Sequence, residues 1–219
     1  YLQSHGVMAD RTHWLGHPLY DLYDPKFRAY FPDRNEIARA EGLDPEKRWV
    51  FFPENFRWAF LGDAKLESMH AQGVDIVDLE AQRAYCREAL GASSKWLAAI
   101  AKRHDIEVIL RPRPAVNSAQ IRSFVAEAAG ATPPNFHVIK SLSVREWIFA
   151  SDIVVSSIST SLIEAAVAEK PILRISPTAV PETLWYDWCA FVGVADSEAA
   201  LERAVTGELA RHMRTSQPL

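Results

Sequence analysis

The chain has 219 residues, 48% of them hydrophobic and 24% charged, which is enough to bury a core and is neither disordered nor fibrous in composition. Its formal net charge of -4 and its scattered Lys and Arg exclude a basic nucleic-acid-binding surface. Two cysteines are too few for a disulfide framework, and no apolar run approaches the ~20 residues of a membrane helix.

Residues 1–45 differ from the rest in being rich in His, Tyr and Pro. One short helix is expected from Asp24, with Pro25 at its first position. This segment is expected to be a linker and the remnant of an N-terminal acceptor domain, and the chain a piece of a longer protein. His5, His13 and His17 fall here without metal-ligand spacing, and no metal site is expected.

From residue 46 onward short apolar runs alternate with helical periodicity. Arg48–Phe52 reads as a strand ended by Pro53. Asp78–His104 carries apolar residues at helical spacing, with Asp78 as its cap. Ile106–Leu110 is a strand stopped by Arg111-Pro112-Arg113-Pro114. Asn117–Ala129 is a helix with Gly130 beyond its end, Phe136–Ile139 a short strand, and Ser143–Ala150 a helix with Glu146 completing a capping box. Asp152–Ser156, Thr160–Glu169, Pro171–Ile175 and Asp196–Val205 follow as strand, helix, strand and helix. Such alternation, with strands apolar throughout, predicts an α/β fold: a Rossmann-like, doubly wound parallel sheet over residues 46–208, with 209–219 as a tail.

Three strand ends carry candidate chemistry. The loop Ser156-Ser157-Ile158-Ser159-Thr160-Ser161 opens a helix, where small hydroxyl residues and free N–H groups suit a phosphate; a plain helix cap is the alternative. Glu164, in the first turns of that helix, either meets ribose hydroxyls or serves the helix electrostatically. Arg111 and Arg113, stiffened by two prolines, suit an anion, or form a solvated surface turn. Pro53-Glu54-Asn55-Phe56 ends the first strand at the same level, as ligand loop or structural turn. Trp185, Tyr186 and Trp188 either frame a sugar or base or belong to the core. Cys86 and Cys189 read as buried hydrophobes. The glycine-rich nucleotide fingerprints and the nucleophile elbow are absent.

An ordered set of motifs now points to a family. Gly16-His17-Pro18-x-x-Asp21, Glu54-Asn55-Phe56, Arg111-Pro112-x-Pro114, Asp152–Ser156, Ser159-Thr160-Ser161, Glu164-Ala165 and Lys170-Pro171 together resemble bacterial surface-carbohydrate and capsule biosynthesis proteins. These are similar to GT-B glycosyltransferases, including transferases of Kdo and other CMP-activated sugars. The resemblance implies the C-terminal, donor-binding half of a GT-B architecture, working in the cytoplasm or at the inner face of a bacterial membrane with peripheral association. It implies a nucleotide-sugar donor, CMP-activated in the Kdo branch, a glycan or glycolipid acceptor, and no further cofactor.

By the same resemblance, Ser157, Ser159, Thr160 and Ser161 hold the donor phosphate, Glu164 lies near the ribose or sugar, and Asn55 and Arg111 border the site. The family motif Arg-Pro-His-Pro has Arg113 at its third position here. An arginine stabilises phosphate charge but does not donate a proton near neutral pH, so Arg113 is the expected catalytic group through charge alone. Two other functions fit the same reading: a nucleotide-sugar epimerase or hydrolase of like architecture, and a non-catalytic module of polysaccharide assembly.

Overall fold

A computed structural model describes Gly6, Met8 and residues 17–207; His5, His13, Gly16 and the 209–219 tail lie outside the described residues. Six parallel strands form one sheet in the order β3-β2-β1-β4-β5-β6. They are β1 (Arg48–Pro53), β2 (Ile106–Arg111), β3 (Phe136–Val138), β4 (Ile153–Ser156), β5 (Ile172–Ile175) and β6 (Val194–Ala195). Seven α-helices accompany them among the described residues: α1 (Arg34–Glu41), α2 (Asp63–Ala71), α3 (Ile76–Arg103), α4 (Ser118–Ala129), α5 (Val144–Ala150), α6 (Thr160–Val167) and α7 (Glu198–Thr206).

Alternation along the strands divides the core in two. Val50, Phe52, Val108 and Leu110 face a cluster with Leu79, Leu90 and Leu97 of α3, Ile121 of α4 and Leu201 of α7. Trp49, Phe51, Ile109 and Val154 point the other way, toward Trp147 of α5, Leu162 of α6 and Ile37 of α1. Both faces are therefore covered, which is why the strands read as continuous apolar runs. Trp147 is fully buried and stacks on Phe51 with ring centroids 6.2 Å apart.

Residues expected to form a separate N-terminal segment contribute to this second face. Tyr23, Ile37, Ala38 and Leu43 are buried there. The helix expected from Asp24 is a 3-10 helix, Pro25–Tyr30, with the Asp24 carboxylate accepting from the Lys26 N–H at 2.9 Å. Helix α1 was not expected. Its capping box of Asp33 and Glu36 and its left-handed Gly42 (φ 72°) delimit it, but eight residues carry too little apolar periodicity to announce themselves. Helix α2 is hidden for the same reason: Leu66 is its only buried residue.

Helix α3 starts earlier than expected. Asp75, not Asp78, is the cap, its carboxylate accepting from the Val77 N–H at 2.8 Å. Asp78 lies in the first turn, where a carboxylate also favours the helix dipole. The Lys170-Pro171 pair has a structural use: the Lys170 ammonium donates to the Phe149 and Ser151 carbonyls at 2.8 and 2.9 Å, closing the end of α5.

Helices α3 and α4 cross over on the first face and α5 and α6 on the second. The winding direction thus reverses between the adjacent strands β1 and β4. Loops leaving the carboxyl ends of two such strands diverge and leave a crevice between them.

Candidate functional site

A cleft of about 400 Å³ occupies that crevice, a size within the ~300–1,000 Å³ usual for small-ligand sites. Asn55, Phe56 and Arg57 enter it from the end of β1, Arg113 from the end of β2, and Ser157 and Thr160 from the β4–α6 loop. Tyr85 and Cys86 of α3 form its back wall. Leu184, Tyr186 and Trp188, from the segment between β5 and β6, form an aromatic side.

Asn55 ties these loops together. Its amide donates to the Ile158 carbonyl, and its oxygen lies 3.5 Å from a donating Nη1 of Arg113. Glu54 works beneath it, buried, its carboxylate accepting from the Phe56 N–H and, at 3.4 Å, from the Arg113 N–H. Burial pushes the Glu54 carboxyl above its ordinary value of 4.5, against the pull of those two N–H groups and the Arg113 charge.

That shift has a definite sign. The folded state holds the Glu54 proton more tightly than the unfolded chain, so this group's contribution to stability declines as pH rises from about 4.5 through the raised folded value. Glu54→Gln should flatten that limb of a Tm-against-pH curve. A curve unchanged in shape would show that the carboxyl titrates as it does in water.

The serine loop divides its hydroxyls between structure and cleft. Ser156 donates to the Pro53 carbonyl at 2.7 Å, pinning β4 to β1. Ser159 is the N-cap of α6, its Oγ accepting from the Ser161 N–H at 3.3 Å, and Ser161 itself is buried. Ser157 and Thr160 face the cleft. The capping and ligand readings of this loop thus apply to different residues of it.

Arg111 and Arg113 do not converge. Arg111 is still within β2, on the face of Ile109, and its Nη2 donates to the Leu142 carbonyl at 2.6 Å. It clasps a residue in the left-handed region (Leu142, φ 57°), and burial draws its guanidinium below the ordinary value. Arg113 lies beyond the strand, past Pro112, where the chain has turned into the crevice. Glu164 is also directed elsewhere: it accepts from the Tyr23 hydroxyl at 2.6 Å, docking the Pro18–Tyr23 segment on α6.

Sequence reasoning missed Arg57, Tyr85 and Cys86. Tyr85 and Cys86 sit at helical spacing indistinguishable from core positions, and burial pushes their side chains up to about 12 and about 11. Cys86 is indeed buried, yet it borders the cleft. Of the aromatic run, Tyr186 and Trp188 line the cleft while Trp185 lies over Arg174. His17 caps the Pro18–Tyr23 turn, its Nδ1 accepting from the Leu19 N–H at 3.2 Å. Among the described residues no group of three or more His, Cys, Asp or Glu side chains is placed to hold a metal, and no helix is long and apolar enough to cross a membrane.

Comparison with solved structures places the fold. A variant of the wall teichoic acid polymerase TagF matches with a TM-score of 0.58 over 98% of this chain, at 11% identity. A co-structure of S. aureus MnaA with UDP matches with a TM-score of 0.57 over 98% of the chain, at 12% identity. The architecture is half of a GT-B fold. This chain spans 48% and 50% of those two structures. TagF soaked with CDPG matches with a TM-score of 0.55 over 95% of this chain, at 12% identity, and 45% of that structure. No protein-family model and no curated protein sequence matches the chain. At such identities the GT-B half is a statement about fold, and these matches add no support for Kdo or CMP-sugar specificity.

Proposed function

We propose that this chain is the donor-binding part of a GT-B glycosyltransferase that moves a sugar from a nucleotide-sugar to a bacterial surface glycan. One observation carries the reading: Arg113, Asn55, Ser157, Thr160 and the opening of α6 meet in one cleft at the switch point of the sheet. A guanidinium and the free amides of a helix start offer positive charge where a departing nucleotide phosphate gains negative charge. The aromatic side, Tyr186 and Trp188, supplies flat apolar surface for a base or sugar. Arg113 acts in this scheme by charge and geometry, and the base that activates the acceptor belongs to the half of the enzyme absent from this chain. The acceptor is a glycan or glycolipid at the inner face of the membrane.

A second reading, a nucleotide-sugar epimerase or hydrolase, is favoured by the match to MnaA with UDP, which is as good as those to TagF. The two differ in outcome: turnover of a nucleotide-sugar without acceptor belongs to the epimerase or hydrolase. Both require that the cleft bind nucleotide.

A thermal-shift screen of nucleotides and nucleotide-sugars tests that shared requirement. Ligand at 100 times its Kd stabilises by ~2.7 kcal/mol, about 5–10 °C in Tm for a domain of this size. No shift with any cytidine, uridine or guanosine nucleotide at millimolar concentration would remove both readings.

A further inference from the structure

Arg174 has no place in the scheme so far. It interrupts an otherwise apolar strand, β5, with Ser156 of β4 and Val194 of β6 as its neighbours in register. Only 8% of it is exposed, yet its Nε has no hydrogen-bond partner, and no carboxylate lies within ion-pair distance among the described residues. The buried Nε–H without an acceptor costs the fold stability, while the Nη groups are not fully buried and keep some contact with solvent. Arg111, whose Nε is also unpartnered, at least holds the Leu142 carbonyl through Nη2. Among the described residues the Arg174 guanidinium has only the Trp185 ring as a close partner, 5.1 Å from its central carbon.

Its surroundings belong to the cleft. Trp185 sits between Leu184 and Tyr186, both on the cleft wall, and is itself 41% exposed on a segment without regular strand. The Arg174 charge also reaches the Tyr85 hydroxyl, pulling it down against the burial that dominates its shift. Tyr85 is part of the back wall. The cation therefore stands directly behind the wall, one strand beyond the opening of α6.

We propose that Arg174 is a second anion anchor of the cleft, taking one phosphate of a nucleoside diphosphate while Arg113 and α6 hold the other. The Trp185 ring occupies the guanidinium until that phosphate displaces it. The inference rests on the nucleotide reading and narrows it: the donor is diphosphate-linked, not monophosphate-linked as in the CMP-sugar branch of the resemblance. A phosphate supplies the acceptor that the orphaned Nε–H lacks within the fold.

The test compares Arg174→Met with the unaltered chain. Methionine keeps the apolar stem against Trp185 and removes the charge. Calorimetric titrations with CMP and CDP, UMP and UDP, and GMP and GDP give a diphosphate-to-monophosphate affinity ratio for each base. The unaltered chain should favour the diphosphate at least tenfold for the base it accepts. Arg174→Met should cut that ratio to about three or less, change monophosphate affinity less than threefold, and raise the ligand-free Tm.

A ratio near one in the unaltered chain, or a ratio unmoved by Arg174→Met, overturns the proposal and leaves the nucleotide reading standing. A fall in Tm shows a structural cation held by Trp185 and also overturns it. Absence of binding by all six nucleotides overturns both. Should Arg174→Met not fold, that is itself the structural outcome; Arg174→Lys, which keeps charge without the planar fork, should then leave the ratio unchanged.

Discussion

Arg113→Ala is expected to weaken nucleotide binding by roughly 10- to 100-fold, the effect of losing a charged hydrogen bond to phosphate. Fold stability should barely change. Arg113 is only partly buried, and its one side-chain hydrogen bond among the described residues is the long contact of 3.5 Å with Asn55. Its neighbours Pro112 and Pro114 hold the loop without it. Arg113→Lys should recover part of the loss, since it restores charge but not the two-pronged geometry. Isothermal titration at fixed ionic strength reads the effect, and the loss should shrink as salt is raised. Affinity unchanged in Arg113→Ala would mean that the phosphate lies elsewhere in the cleft.

Such a result is specific because of where the sheet reverses. Any doubly wound sheet brings helix openings to one edge, but only the strands flanking the reversal leave room between their loops. Here β1 and β4 flank it, β1 carrying Asn55 and β4 leading to Ser157 and Thr160. Arg113 comes from β2, one strand away, and reaches the crevice because Pro112 carries it past the strand end at Arg111. Arg111, with no such extension, is committed by the pleat to the opposite purpose.

The sheet was legible in the chain because its strands are short apolar runs set between helices with recognisable caps. Asn117 before α4, Ser143 with Glu146 on α5 and Ser159 before α6 all perform the capping their positions suggest. Short helices were not legible: α1 and α2 bury two residues and one, too few for a period to show. β6, two residues long, is defined by pairing with β5 and not by its own composition.

The site was legible at the level of loops and less so at the level of side chains. That the ends of β1, β2 and β4 carry polar loops was readable from the chain; that they meet follows from the strand order, which alternation alone does not fix. Which arginine enters depends on where β2 stops: Arg111 and Arg113 would share one face of a longer strand, and only the chain's departure after Arg111 turns Arg113 toward the crevice. Ser159 and Ser157 have the same chemistry, and only backbone direction assigns one to capping and the other to the cleft. Tyr85 and Arg174 were invisible for a deeper reason: each sits in a regular element whose pattern already explains a residue there, so nothing in the local sequence asks for another use.

At the opposite edge of the sheet, Arg34→Ala should lower stability by ~3 kcal/mol or more, about 6–12 °C in Tm. Arg34 opens α1, where a cation opposes the helix dipole, so its reason for being there lies outside the helix. Its guanidinium donates to the carbonyls of Pro45 at 2.8 Å, Lys47, and Ala150 at 2.9 Å, and to the Asp152 carboxylate at 3.0 Å. Its plane also covers the Trp49 ring, 4.5 Å from the guanidinium carbon. Asp152 is 40% exposed, so the ion pair itself is screened and adds little.

The carbonyls decide the magnitude. Three peptide oxygens from two separate segments, the loop before β1 and the end of α5, lose their donor at once, and the packing over Trp49 goes with them. Arg34→Lys should recover less than half of the loss, because one ammonium cannot reach three carbonyls held apart by a planar fork. Chemical denaturation checks both values, and a loss below about 1 kcal/mol in Arg34→Ala would mean that water replaces the guanidinium at little cost. Since Arg34 lies at the amino ends of β1 and β4 and the cleft at their carboxyl ends, nucleotide affinity per folded molecule should not change. Arg113 and Arg34 thus separate what binds from what holds the sheet together.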